Sequence, residues 1–313
     1  MPVSLVSQGV QYSNGTTRTS GKWAVRAIFG YGSNVSINLG MTNLVNNYGG
    51  VATDVSVVGT ARQGLAAAGY GGDRAIFGYG FTSAVTNITN LVSNLGVVGG
   101  DVTGVGTSRY LLAAAGYGGD KAIFGYGRIS GSDSSLTNLV SNVGVVSSDT
   151  TGVGTARGSL AAAGYGGDKA IFGYGRTITG TNLNLTNLVT NAGVVGNDVS
   201  NAGVTREAPA AAGYGGDKAI FGYGYDGAGA GYLSSTSLIS NTGVVGSDVT
   251  GVGTARYALA AAGYGGDKAI FGYGSTGSVS SLTNLVSNIG TASSNITGIG
   301  TARYFLAAAS YSS

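Results

Sequence analysis

Three observations predict an all-β chain built as six four-stranded antiparallel units closed into a ring. The element "AIFGYG" begins at Ala27, Ala75, Ala122, Ala170, Ala219 and Ala269, at spacings of 48, 47, 48, 49 and 50 residues. Each repeat reads as four short strands. The two chain ends also divide one repeat between them. Four strands per ~45-residue repeat is the arithmetic of a propeller blade. The expected fold is therefore a six-bladed β-propeller, sealed by its C-terminal strand in the first blade.

The repeat from Arg157 to Thr205 shows the elements in order. "SLAAAGY" is a small-residue strand, and "GG" with Asp168 is a tight turn that tolerates positive φ. "KAIFGYG" is a second strand, whose alternation places Phe172 and Tyr174 on one side and Ile171, Gly173 and Gly175 on the other. "LTNLVTN" is a third strand, and "GVVGNDVSNAG" a fourth with its exit. The alanines suit the crowded axis of a ring, and the aromatics are expected to fill the glycine-bearing face of the next blade. Pro209 replaces a leucine where a channel-lining edge strand is expected, the place a sheet accepts proline.

A stacked solenoid is the rival architecture, and the chain ends decide against it. The first "AIFGYG" has no "LAAA" strand before it, and the last "LAAA", Leu306 to Ala309, has no "AIFGYG" after it. A ring removes both orphans and their open edges. The organisation is then an extension over 1–23 and a propeller over 24–313. Blade 1 is 24–61 plus 303–313, followed by 62–108, 109–156, 157–205, 206–255 and 256–302.

The order in "TARYALAAAGYGGDKAIFGYG", Thr254 to Gly274, resembles kelch-repeat propellers: an arginine, an innermost strand, then an aromatic strand ending in glycines. The resemblance covers about nine-tenths of the chain and implies architecture, not activity. It departs from kelch in having tyrosine between the glycines and no fourth-strand tryptophan; Trp23 is the only one. The near-identical Gly-, Ser- and Asn-rich repeats are similar in style to virion-exposed phage proteins such as tail fibres and decoration proteins.

Composition narrows the chemistry. The 313 residues include 60 glycines, no cysteine and no histidine, with 43% apolar and only 9% charged residues. Without His or Cys, the commonest general base, thiol nucleophile and zinc ligands are missing. Of 13 acidic residues, only Glu207, Asp133 and Asp226 stand outside repeat positions. Repeated acids share one environment, whereas a catalytic pair needs two. No phosphate-binding loop leads into a helix, no calcium loop is present, and no cofactor or metal is expected. A net charge of +3 without basic runs argues against nucleic acid. No signal peptide and no membrane span are read from the sequence, so no membrane insertion is expected.

Function is expected in the segments between "FGYG" and the third strand, which vary while the rest repeats. They emerge on the face that carries the blade-to-blade connections, and loops on a rigid scaffold are where recognition concentrates. Tyr225, Asp226, Tyr232, Phe81, Arg128 and Arg176 are the candidate ligand contacts, since aromatics stack on sugars and Tyr and Arg dominate binding hot spots. Arg62, Arg109, Arg157, Arg206, Arg256 and Arg303 have two readings. Each pairs with a neighbouring blade's aspartate or with carbonyls, or together they form a cationic ring for acidic glycans. The expected function is a non-enzymatic binding or structural module, at a virion or extracellular surface, recognising a glycan or protein. An architectural subunit without soluble ligand is the alternative, and a glycan-cleaving enzyme the third. Residues 1–23 cap the ring, dock on a partner or pair with a second copy to form a homo-oligomer.

Overall fold

A computed structural model describes residues 4–6, 9–11, 17–19, 25–56, 59–201, 203–227, 229 and 231–312. They are all-β, arranged as small antiparallel sheets, mostly of three or four strands, with one two-stranded ribbon at Arg128–Ile129 and Ser132–Asp133, and without a helix among the described residues. In the repeat of Arg157 the strands are Ala161–Tyr165, Lys169–Gly173, Leu185–Val189 and Val199–Ser200. Their register places Ala163 beside Ile171, Ile171 beside Leu188 and Thr186 beside Val199. The same register recurs in the other repeats for the first three strands.

The fourth strand is where expectation and structure part. It is a strand at Val55–Ser56, Val199–Ser200 and Val245–Val249, but elsewhere shrinks to single bridges such as Thr89 to Val102 and Thr283 to Ile296. Side-chain bonds hold this edge whether or not a strand forms: Asp101 takes the Thr60 N–H and hydroxyl and Asn90 donates to the Gly99 carbonyl, and Asp54 and Asn43 make the same bonds, to Thr301 and Ala52, beside the strand Val55–Ser56.

The last strand, Ala307–Ser312, pairs with Val25–Gly30, from Ala307 beside Gly30 to Ser312 beside Val25. The sheet opened at Val25 is thus completed by the other end of the chain. A second closure lies in the linkers. Leu111 donates its N–H to Gly64 O, Ser159 to Leu111 O, Ala208 to Ser159 O, Ala258 to Ala208 O, Phe305 to Ala258 O and Gly64 to Phe305 O, at 2.7–2.9 Å. The six bonds form a closed cycle. Each member has a φ of 47–61°, which turns its N–H and C=O tangentially toward its two neighbours. Five of the six are not glycine, so the cycle holds roughly 1 kcal/mol of strain per residue. Inside it, Leu65, Leu112, Leu160, Leu259 and Leu306 are buried, with Pro209 in the sixth place. Pro209 precedes the strand Ala210–Tyr214 and so is not a strand residue; no ladder N–H is asked of it.

The core lies between successive sheets. Ala161, Ala163, Ile171 and Tyr174 pack on Ala211, Ala219, Phe221 and Ile239 of the next unit. Phe172 faces the other way, onto Ala113, Ile123 and Tyr126. This corrects the alternation expected for Phe172 and Tyr174. Tyr174 has φ +63°, the strand ends at Gly173, and the ring swings to the Ile171 side. Each such tyrosine meets the next unit's phenylalanine edge-on, as Tyr174 does Phe221 at 5.1 Å. Phenylalanine, by contrast, fills the glycine face as expected. A Cβ on Gly173 would lie 2.5 Å from Phe221 Cζ.

Near the amino terminus, Ser4–Val6, Gly9–Gln11 and Thr17–Thr19 pair as an antiparallel meander. The roles expected of the rest of that extension, including Trp23, fall outside the described residues.

Candidate functional site

The arginines and the variable loops share one end of the molecule, and the structure treats them differently. All six arginines are fully buried. Arg157 donates from Nε to Tyr174 O (2.7 Å), from Nη1 to Thr155 O (2.9 Å) and from Nη2 to Asn187 Oδ1 (2.8 Å). Its guanidinium carbon lies 4.4 Å from the centre of the Tyr126 ring, contributed by the preceding unit. Asn187 passes the chain of bonds to Asp198 Oδ1 at 2.9 Å, and Asp198 Oδ2 accepts from the Thr155 N–H and hydroxyl. The neighbouring unit therefore supplies a tyrosine, while the aspartate comes from the arginine's own unit. With every guanidinium buried in such bonds, Arg62, Arg109, Arg157, Arg206, Arg256 and Arg303 present no cationic ring to solvent.

Electrostatics follow from this packing. Burial pushes the Tyr126 hydroxyl up to about 12, against the opposing pull of Arg157. Burial also raises Asp198, but hydrogen bonds from Thr155 and Asn187 and the charge of Arg157 outweigh it and hold the carboxyl below its ordinary value. Two repeats vary the network. Ser237 replaces the asparagine beside Arg206, which reaches Asp248 directly at 2.7 Å. Asn295 replaces the aspartate beside Arg256, leaving a buried cation whose network contains no carboxylate.

Asn295→Asp is therefore expected to stabilise the fold by about 1 kcal/mol at neutral pH, read from denaturant unfolding. The sign follows from Asp198. A carboxyl lowered in the folded state contributes above its unfolded pKa of ~3.9 and loses that contribution as pH falls through the folded value. The gain is expected to be complete at pH 6 and to shrink below pH 4. An unchanged midpoint at pH 7 would contradict the reading.

The variable loops start where the second strand's exit meets the linker. Phe81 bridges to Gln63, Arg128 to Tyr110, Arg176 to Gly158 and Tyr225 to Glu207. Of the expected ligand residues, the structure brings Tyr225 and Tyr232 together, in a bridge with ring centres 5.6 Å apart. To them the next linker adds Tyr257, stacked on Tyr232 at 5.4 Å and 16°. Phe305 meets Tyr257 edge-on at 6.1 Å, and Tyr304 meets Phe305 at 4.8 Å. Five half-buried rings from two successive linkers and one loop thus form a continuous aromatic surface.

The remaining expected residues are engaged within the chain. Asp226 Oδ1 accepts from Gly231 N at 2.8 Å and shapes its own loop. Arg128 pairs with Asp133 at 3.0 Å and donates to the carbonyls of Arg176 and Thr177. Arg176 pairs with Glu207 at 3.3 Å. Phe81 leans on Tyr110 at 5.6 Å, in a different pair of units from the tyrosine surface. Tyr257, Tyr304 and Phe305 were not expected from the sequence. Their signal was the pair of residues after each arginine: Gln63-Gly64, Tyr110-Leu111, Gly158-Ser159, Glu207-Ala208, Tyr257-Ala258 and Tyr304-Phe305 vary between flanks that repeat.

At the opposite end, the alanine- and glycine-lined space between the first strands is a cup of about 380 Å3. Its mouth carries the turn pairs, such as Asp168 with Lys169 at 3.2 Å, both well exposed. Among the described residues, no group of three or more acidic, His or Cys side chains could hold a metal, and no helix is long and apolar enough to cross a membrane. Compared with known proteins, no protein-family model matches the chain, and no curated protein matches it.

Proposed function

We propose that this chain is a six-bladed, kelch-like β-propeller that binds a glycan, without cleaving it, through the face carrying its variable loops. The observation that carries the reading is the stacked pair Tyr232 and Tyr257, extended by Tyr225, Phe305 and Tyr304. An aromatic face offers the C–H face of a pyranose a large apolar contact at low entropy cost, while nearby phenol and amide groups serve its hydroxyls. The loops' charges are already answered internally, by Asp133 for Arg128 and Glu207 for Arg176, which favours a neutral sugar over an acidic one. The cycle of linker bonds and the pairing of Ala307–Ser312 with Val25–Gly30 support a rigid ring beneath that surface. A place on a virion or cell surface fits such a module and is part of the proposal.

A glycan array followed by titration tests it. Tyr232→Ala with Tyr257→Ala is expected to weaken binding of the best sugar at least 100-fold. Phe81→Ala, distant in the ring order, is expected to leave it unchanged. Absence of binding across the array, or equal binding by the double variant, would reject the glycan reading.

A further inference from the structure

The end of the molecule that holds the cup's mouth also carries the hairpin turns between third and fourth strands. Asn191 Nδ2 reaches Asp168 at the mouth (3.1 Å), and Asn241 reaches Asp217 (3.1 Å). In each turn the backbone satisfies itself: Ser141 N donates to Val145 O, and Gly144 N, at φ +84°, to Ser141 O. Tyr70 of the preceding unit packs beneath Gly144, so the residue between Asn142 and Gly144 can only point outward. That residue is apolar or small in almost every repeat. Tyr48, Leu95, Val143 and Ile289 occupy it, and Val194 and Val244 stand two places on in the repeats that have Ala192 and Thr242. These six side chains are 62–82% exposed. Val97 and Val145 add two more at 63%.

Monomers seldom display a contiguous apolar patch beyond a few hundred Å2. Eight large apolar side chains exposed by more than half, at on the order of 100 Å2 each, amount to roughly the ~800 Å2 per partner of a stable interface. Charge indicates what fits on it. The rim inside the crown alternates acid and base: Asp73–Arg74, Asp120–Lys121, Asp168–Lys169, Asp217–Lys218 and Asp267–Lys268. Such a rim is nearly neutral and repels no copy of itself. Under a two-fold axis lying in the ring plane, each acid of one copy comes over a base of the other, so the pattern is self-complementary. A strongly charged partner would find no matching field. The self-bonded turns also lose little freedom on docking.

We propose that two copies of this chain associate face to face through this apolar crown, leaving both variable-loop faces outward. The test is the solution mass of the full-length chain by sedimentation equilibrium across micromolar concentrations. The expected mass is twice that of the 30.7 kDa chain. Leu95→Glu with Ile289→Glu, at well-exposed positions that leave the fold intact by circular dichroism, is expected to raise the dimer dissociation constant at least 100-fold. Tyr232→Ala with Tyr257→Ala is expected to leave it unchanged. A single-chain mass for the wild type at all concentrations would overturn the proposal. So would a dimer untouched by the crown substitutions, or one broken by the loop-face pair. Because sugar binding is read on the other face, either result leaves the glycan reading separately testable.

Discussion

Arg157→Ala is expected to lower the free energy of unfolding by about 3–5 kcal/mol, the range for breaking a buried, fully hydrogen-bonded charge network. The substitution leaves Tyr174 O, Thr155 O and Asn187 Oδ1 without their donor, in a site that is closed to solvent. It also removes the cation from the face of Tyr126, so the damage reaches the preceding unit. Arg157→Lys keeps the charge but cannot direct three bonds in one plane, and is expected to recover less than half of the loss. Urea unfolding of the three proteins measures this. A change below 0.5 kcal/mol for the alanine variant would mean that the arginines do not bind the units together, and the account of the interfaces would fail.

Gly173→Ala is expected to destabilise by about 1–3 kcal/mol, although adding a methyl group to a strand glycine ordinarily stabilises it. The new Cβ would stand 2.5 Å from Cζ and 2.9–3.0 Å from both Cε atoms of Phe221, which is fully buried and fixed edge-on against Tyr174. The ring has no free direction in which to move. Phe221→Leu in the same chain removes the colliding atoms, so the double variant is expected to be more stable than the sum of the two single changes predicts, by at least 1 kcal/mol. Strict additivity would show that the sheets are further apart at this point than described.

Much of the fold was legible because the repeat copies constrain one another. The strand order and antiparallel register follow from "LAAAGYGGDKAIFG" and its two-residue alternation, and the pairing of the last strand with Val25–Gly30 follows from the orphaned half-repeats. What escaped depended on side chains overriding backbone habit. Tyr174 and its counterparts adopt a φ that non-glycine residues avoid, so alternation misassigned their face. Their position between two glycines in all six copies was the available hint. The fourth strand was overestimated because sequence patterning does not reveal which partner a backbone N–H will choose.

The candidate site was half visible. Tyr225 and Tyr232 were found because they sit in a segment that obviously varies, whereas Tyr257 and Phe305 lie in the linker and were absorbed into the repeat motif. The backbone bonds of Arg256 to Gly224 and Leu233 and the stacking of Tyr257 on Tyr232 place that linker beside the loop. The arginines illustrate the converse. Two readings were open for them, internal pairing or a shared cationic ring, and the bonds match the first: Arg157 reaches the Tyr174 and Thr155 carbonyls and Asn187, and is buried.

In a circular order the first and last repeats are neighbours, as the pairing of Ala307–Ser312 with Val25–Gly30 requires of the two chain ends. The chain contains no cysteine, so spin labels can be placed at will on the exposed outer-edge positions Val55, Val102, Val199 and Ile296, each 42–52% exposed. Electron–electron double resonance on the pairs 55/102, 55/199 and 55/296 reads three separations from one reference. A ring of six predicts that 55/296 equals 55/102, with 55/199 the longest. If 55/296 is instead the longest of the three, the repeats form an open array, and the closure on which the interfaces and the recognition face depend does not exist.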